Sequence, residues 1–79
     1  MDKVREIPAE YGYYLFKLEQ VLYDKKISIN RLIRDTNTDF KVIKRIMTGD
    51  ISRIDIDVIS RLCHYLECEF YEIIEYRNK

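Results

Sequence analysis

The chain has almost nothing from which to build chemistry of its own. It holds one histidine, two cysteines, one proline, two glycines and no tryptophan among 79 residues. No Ser–His–Asp order, Gly-rich phosphate loop or metal-ligand cluster can be assembled from that stock, so no enzyme, cofactor or metal is expected. No stretch approaches the roughly 20 apolar residues of a membrane span. Met-Asp-Lys-Val-Arg-Glu at the start lacks the apolar run of a signal peptide. Both absences make the cytosol the expected compartment. Cys63 and Cys68 are therefore read as reduced, buried thiols acting as small hydrophobes. A zinc site would need His64 in Cys-His-x-x-x-Cys, which lacks a fourth ligand and the Cys-x-x-Cys spacing.

What is present suits one compact domain. Apolar residues make up 47% and charged residues 35%, which excludes the low-hydrophobicity, high-charge signature of disorder. A chain this short buries only about 60–65% of its unfolded surface, so its apolar residues must serve one core.

Net charge is zero, which argues against a polyanionic partner until its distribution is considered. Residues 1–24 carry three basic and five acidic side chains, and residues 54–79 carry three and six. The middle, residues 25–53, carries eight basic (Lys25, Lys26, Arg31, Arg34, Lys41, Lys44, Arg45, Arg53) against three acidic (Asp35, Asp39, Asp50). A cationic centre between acidic ends is a footprint for an anionic partner.

Periodicity predicts five helices and no strands. Residues 1–13 form an N-terminal arm, and 14–79 form the domain. The first helix starts near Tyr14, with Leu15, Leu18, Val21 and Leu22 as its stripe, and ends at Lys25 or Lys26. Ser28 caps the second, which buries Ile29, Leu32, Ile33 and Thr36. Thr36-Asn37-Thr38-Asp39 breaks the pattern, because Asn tolerates the left-handed conformation and Thr or Asp caps the next helix. That third helix runs from Phe40 to about Met47 and stops at Gly49-Asp50. After a loop at 51–54, Asp55 or Asp57 caps the fourth, with Val58, Ile59, Leu62, Cys63 and Leu66 inward. A short fifth helix spans Glu69 to Tyr76, with Phe70, Ile73 and Ile74 inward.

The third helix carries the functional signal. Val42, Ile43 and Ile46 point one way, while Phe40, Lys41, Lys44, Arg45 and Thr48 occupy the opposite arc. A cationic face entered from a short turn after another helix suits the DNA major groove. There Lys and Arg reach guanine O6 and N7 or phosphates, and Phe40 packs on a thymine methyl. A solvated charged face is the plainer account of such an arc, and an aromatic like Phe40 either marks a contact surface or folds back to staple the helix start.

The stretch SINRLIRDTNTDFKVIKRIMTG (28–49) resembles the helix-turn-helix of the lambda-repressor-like (Cro/XRE-type) regulators. The resemblance rests on the Ser28 cap, Leu32, the turn residue Asn37, the cap Asp39, and Ile43 and Ile46 before Gly49. DIDVISRLCHYLECEFYEIIEY (55–76) is similar to helices four and five of a short single-domain branch. The resemblance implies an all-α, five-helix domain with the helix-turn-helix at helices two and three. It also implies a sequence-specific transcriptional repressor binding double-stranded DNA as a homodimer, in a mobile-element or phage-type context. Ser28 would meet a phosphate at the second helix's N-terminus. Thr38, Asp39, Phe40, Lys41, Lys44 and Arg45 would stand at the base edges, and Arg53 would grip the backbone. Ile29 and Ile33 depart from the family's polar residue and small Ala, and Asn37 replaces its turn Gly. The rival reading is a protein-interaction module of the same fold, such as an antitoxin or adaptor. Seven tyrosines and three phenylalanines are many for this length, and Tyr favours interfaces.

Overall fold

The computed structural model describes residues 3–79. Its elements in chain order are β1 (Arg5–Pro8), β2 (Gly12–Phe16), α1 (Leu18–Lys25), α2 (Ile29–Thr36), α3 (Phe40–Thr48), α4 (Ile56–Leu66), α5 (Phe70–Ile73) and β3 (Ile74–Asn78). Helices hold 52% and strands 18%, so the expected all-α class is corrected: the helices share the fold with a three-stranded antiparallel sheet in the order β1-β2-β3. Met1 and Asp2 of the expected arm lie outside the described residues, and the boundary at residue 13 falls inside β2.

The sheet brings the two ends of the chain together. Phe16 faces Ile74, Tyr14 faces Tyr76 and Gly12 faces Asn78 across β2 and β3; Ile7 faces Tyr14 across β1 and β2. Directly opposed residues share a face, so Ile7, Tyr14 and Tyr76 stand with the buried Phe16 and Ile74 on the side toward the helices. The Tyr14 and Tyr76 rings meet at 5.1 Å between centroids. Gly12 is required at its place, because a Cβ there would collide with the Arg77 carbonyl oxygen. Pro8 ends β1 at the sheet's edge, where the missing N–H costs no ladder bond.

Strand pairing also redraws two helices. Tyr14, Leu15 and Phe16 belong to β2, so α1 begins at Leu18, where the Lys17 N–H donates to the Ile73 carbonyl at 2.7 Å. The fifth helix is a single turn fixed by the Glu69–Glu72 capping box, and from Ile74 the chain is strand. Ile73 and Ile74 are buried as expected, whereas Phe70 is exposed.

The core draws on every layer. Phe16, Leu18, Leu22, Leu32, Ile43, Ile46, Val58, Ile59, Leu62, Leu66, Ile73 and Ile74 are buried together. Within it α1 packs on α3 and α5, α2 on α4, and β2 on α3. No described helix is long and apolar enough to cross a membrane.

Candidate nucleic-acid interface

Local chemistry fixes both helices of the central pair. The Ser28 hydroxyl accepts from the Arg31 N–H at 3.1 Å and starts α2. Asn37 ends it at φ 52°, the left-handed conformation that Asn tolerates. An Asp39 carboxylate oxygen accepts from the Lys41 N–H at 2.7 Å and starts α3. Gly49 ends that helix at φ 78°. A side chain at Gly49 would also strike Ile7, which lies 2.6 Å from the position of its Cβ. The β1 strand therefore props the C-terminal end of α3.

The core holds α3 through Ile43 and Ile46, both nearly inaccessible, with Val42 half-buried beside them. This orientation turns Phe40, Lys41, Lys44, Arg45 and Thr48 outward. Phe40 remains 51% exposed, so it does not fold back onto the helix start. The Thr48 hydroxyl turns to its own helix and donates to the Lys44 carbonyl at 3.0 Å.

Two open clefts organise the cations. One, of about 220 Å³, is lined by Lys41, Lys44, Arg45, Thr48 and Asp50. The other, of about 520 Å³, runs between α3 and the following loop and is lined by Arg45, Gly49, Asp50, Ile51, Ser52 and Arg53. Arg45 belongs to both and joins them into one surface. Lys41, Lys44, Arg45 and Arg53 take part in none of the ion pairs among the described residues. By contrast, Arg31 and Arg34 are held by Asp35, and Lys17 and Arg77 by Glu75. Lys41, Lys44, Arg45 and Arg53 outnumber the single acid, Asp50, that lines the clefts with them, so the surface keeps a net positive field.

The other expected site residues fall elsewhere. Ser28 is exposed at the start of α2 and lines neither cleft; Asp39 is exposed and engaged as a cap. Thr38 is 4% exposed, and its hydroxyl lies 2.9 Å from that of Thr36, which in turn reaches the Leu32 carbonyl at 2.6 Å. The hydroxyls of Thr36 and Thr38 therefore tie the turn together from inside. Asp50 and Ser52 were missed from sequence although they line the clefts. The available signal was their place between the Gly49 cap and Arg53.

The cysteines do not contribute to this surface. Burial pushes both thiols up, that of Cys68 to about 11, so they stay protonated. Among the described residues, no group of His, Cys, Asp and Glu is placed to hold a metal ion.

A family model for the Cro/C1-type HTH DNA-binding domain matches residues 17–79. No curated protein and no solved structure matches the chain.

Proposed function

The chain belongs to the Cro/C1-type helix-turn-helix DNA-binding family, and from that premise we propose that it is a sequence-specific repressor inserting α3 into the major groove. The observation that carries the reading is the unpaired cationic surface of Lys41, Lys44, Arg45 and Arg53, made continuous by Arg45. Lys41 and Arg45 read base edges, Lys44 and Arg53 hold phosphates, and exposed Phe40 packs on a thymine methyl. The α2 N-terminus at Ser28 receives a backbone phosphate through its free amides. Asp39 stands beside the bases as the cap that sets the angle of α3, and Thr38 acts from inside the turn.

One recognition helix reads few base pairs, so regulator-grade affinity calls for two copies. We propose a two-fold homodimer built from the C-terminal end. Tyr71 is 60% exposed there, and β3 is an edge strand open to pairing. The recognition helices then lie about 34 Å apart on a palindromic operator.

Binding of a duplex selected from a random pool, followed against salt, tests the reading. Log affinity should fall linearly with log salt, by about 0.9 for each phosphate neutralised. Arg53→Ala should weaken all sequences alike and flatten that slope by about one unit. A flat salt response would defeat the proposal and favour a protein partner.

A further inference from the structure

We propose that Asp50 is a base-reading residue whose carboxylate accepts a hydrogen bond from a cytosine N4 amino group in the major groove. The inference rests on the DNA-binding reading and deepens it. Asp50 follows Gly49, the left-handed residue that ends α3. It lines both cationic clefts, one with Lys41, Lys44 and Arg45 and the other with Arg45 and Arg53. Its carboxylate is exposed and forms no ion pair with any of these cations.

Two physical costs attach to that position. An acid just beyond a helix C-terminus meets the negative end of the helix dipole. The same acid stands where phosphates must approach the neighbouring cations. The other acids between residues 28 and 55 have structural employment. Asp35 accepts from Tyr65 and Arg34, Asp39 caps α3, and Asp55 caps α4. Asp50 lacks any such role, and a locally unfavourable residue without an internal partner points to function rather than folding.

The chemistry narrows what it meets. An ionised carboxylate is an acceptor only. The phosphodiester backbone offers no donor, so the donors within reach of a groove-facing acid are the exocyclic amines of cytosine and adenine. Adenine places its N7 acceptor beside the amine, where it repels the second carboxylate oxygen. Cytosine presents the amine without such a neighbour. Arg45 lines the same two clefts and takes guanine O6 and N7. The two side chains together suit a site containing guanine and cytosine side by side or in one base pair.

The test uses the full chain and a panel of duplexes varied one position at a time around the best sequence from a random pool. The parent should prefer cytosine at one position by roughly tenfold or more. Asp50→Ala should abolish that preference and leave the other positions unchanged. Asp50→Asn should move it to adenine, since an amide pairs with adenine N6 and N7. Thermal midpoints of both variants should match or exceed the parent's, because the unfavourable dipole contact is gone. An unchanged base profile in both variants would overturn the assignment. So would a uniform gain in affinity for every sequence, which would make Asp50 only a phosphate repellent. A parent that binds no duplex at any salt would instead defeat the DNA reading itself, and with it this inference.

Discussion

The helix pair at residues 28–49 and the sheet of β1, β2 and β3 are put together differently. In the helix pair, Ser28 bonds to Arg31 and Asp39 to Lys41, while Asn37 and Gly49 adopt the left-handed conformation by their own nature. Every boundary is decided within a few residues. In the sheet, the β1–β2 hairpin closes locally through the Ala9 N–H and the Gly12 carbonyl, but Gly12 pairs with Asn78 and Phe16 with Ile74, so β3 is placed only when the chain ends meet. Their electrostatics differ as well. The strand region satisfies its cations, with Lys17 2.7 Å and Arg77 3.0 Å from Glu75, whereas the outer face of α3 leaves Lys41, Lys44 and Arg45 unpaired. Glu75 neutralises the cations beside the sheet, whereas the outer face of α3 keeps its own available, as the proposed DNA contact needs.

The largest effect should come from loosening the core beneath that face. Ile43 is fully buried and anchors α3 from below. Ile43→Ala removes buried apolar volume and leaves a cavity, which costs about 2–5 kcal/mol. Against a total stability of about 5–15 kcal/mol, that is a large fraction, and a urea melt should show it as a lower midpoint with a similar slope. A cost below about 1 kcal/mol would mean that the core does not hold α3 in its orientation.

Gly12→Ala probes the other region. The new Cβ would collide with the Arg77 carbonyl oxygen and stand 2.7 Å from the Tyr76 hydroxyl, so β3 must shift. The expected cost is about 1–3 kcal/mol. Hydrogen exchange should show lost protection in β2 and β3, with α2 and α3 retaining theirs. Equal loss in α3 would show one cooperative unit, with Ile7 against Gly49 as its connection.

The same difference explains what could be read from sequence. Ser28, Asn37, Asp39 and Gly49 announce helix ends in single residues, so α2 and α3 were legible to within one residue. The buried positions Leu32, Ile43, Ile46, Leu62 and Leu66 followed from helical spacing. The sheet was not legible. Leu15, Leu18 and Leu22 fit a helical stripe although Leu15 lies in β2, because short apolar runs satisfy either period. Gly-Tyr-Tyr-Leu-Phe and Ile-Ile-Glu-Tyr do carry the aromatic and β-branched bias of strands. The pairing of these two segments, however, joins opposite ends of the chain, and the local partner of the first, β1, is only four residues long. Among site residues, the helical wheel turned Lys41, Lys44 and Arg45 outward as the fold does. Thr38 escaped it, since a turn residue has no periodicity to betray its burial.

Thr38→Val sharpens the division between turn and reading face. The substitution keeps the shape and deletes the hydroxyl 2.9 Å from that of Thr36. The Thr36 hydroxyl still reaches the Leu32 carbonyl at 2.6 Å, while the contacts of the Thr38 hydroxyl with the Thr36 hydroxyl and, at 3.3 Å, the Thr36 carbonyl are lost. The cost should be about 1 kcal/mol. The preferred DNA sequence should not change, and binding across an operator panel at a temperature where both proteins are folded checks this. An altered base preference would return Thr38 to the reading face.

The smallest effect concerns a long-range hydrogen bond that joins the helix pair to α4. The Tyr65 hydroxyl on α4 donates to the Asp35 carboxylate on α2 at 2.6 Å, across 30 residues of sequence. That hydrogen bond first, and the Arg34 guanidinium second, hold the Asp35 carboxyl below its ordinary value of 3.8. A carboxylate with a depressed folded pKa contributes stability above its unfolded pKa and loses it as pH falls through the folded one. Asp35 in turn raises the Tyr65 phenol above its ordinary 10.0, so the same bond is also lost as pH climbs through the raised folded value. Both groups border solvent, which keeps the contribution small. Tyr65→Phe should therefore lower the midpoint of thermal unfolding slightly at neutral pH. The difference from the parent should shrink as the pH falls through the lowered Asp35 value, since the carboxylate that accepts the bond is then protonated in both proteins. A deficit that persists unchanged into acid would locate the role of Tyr65 in ring packing against α2. The helix pair would then be joined to α4 by apolar contact alone.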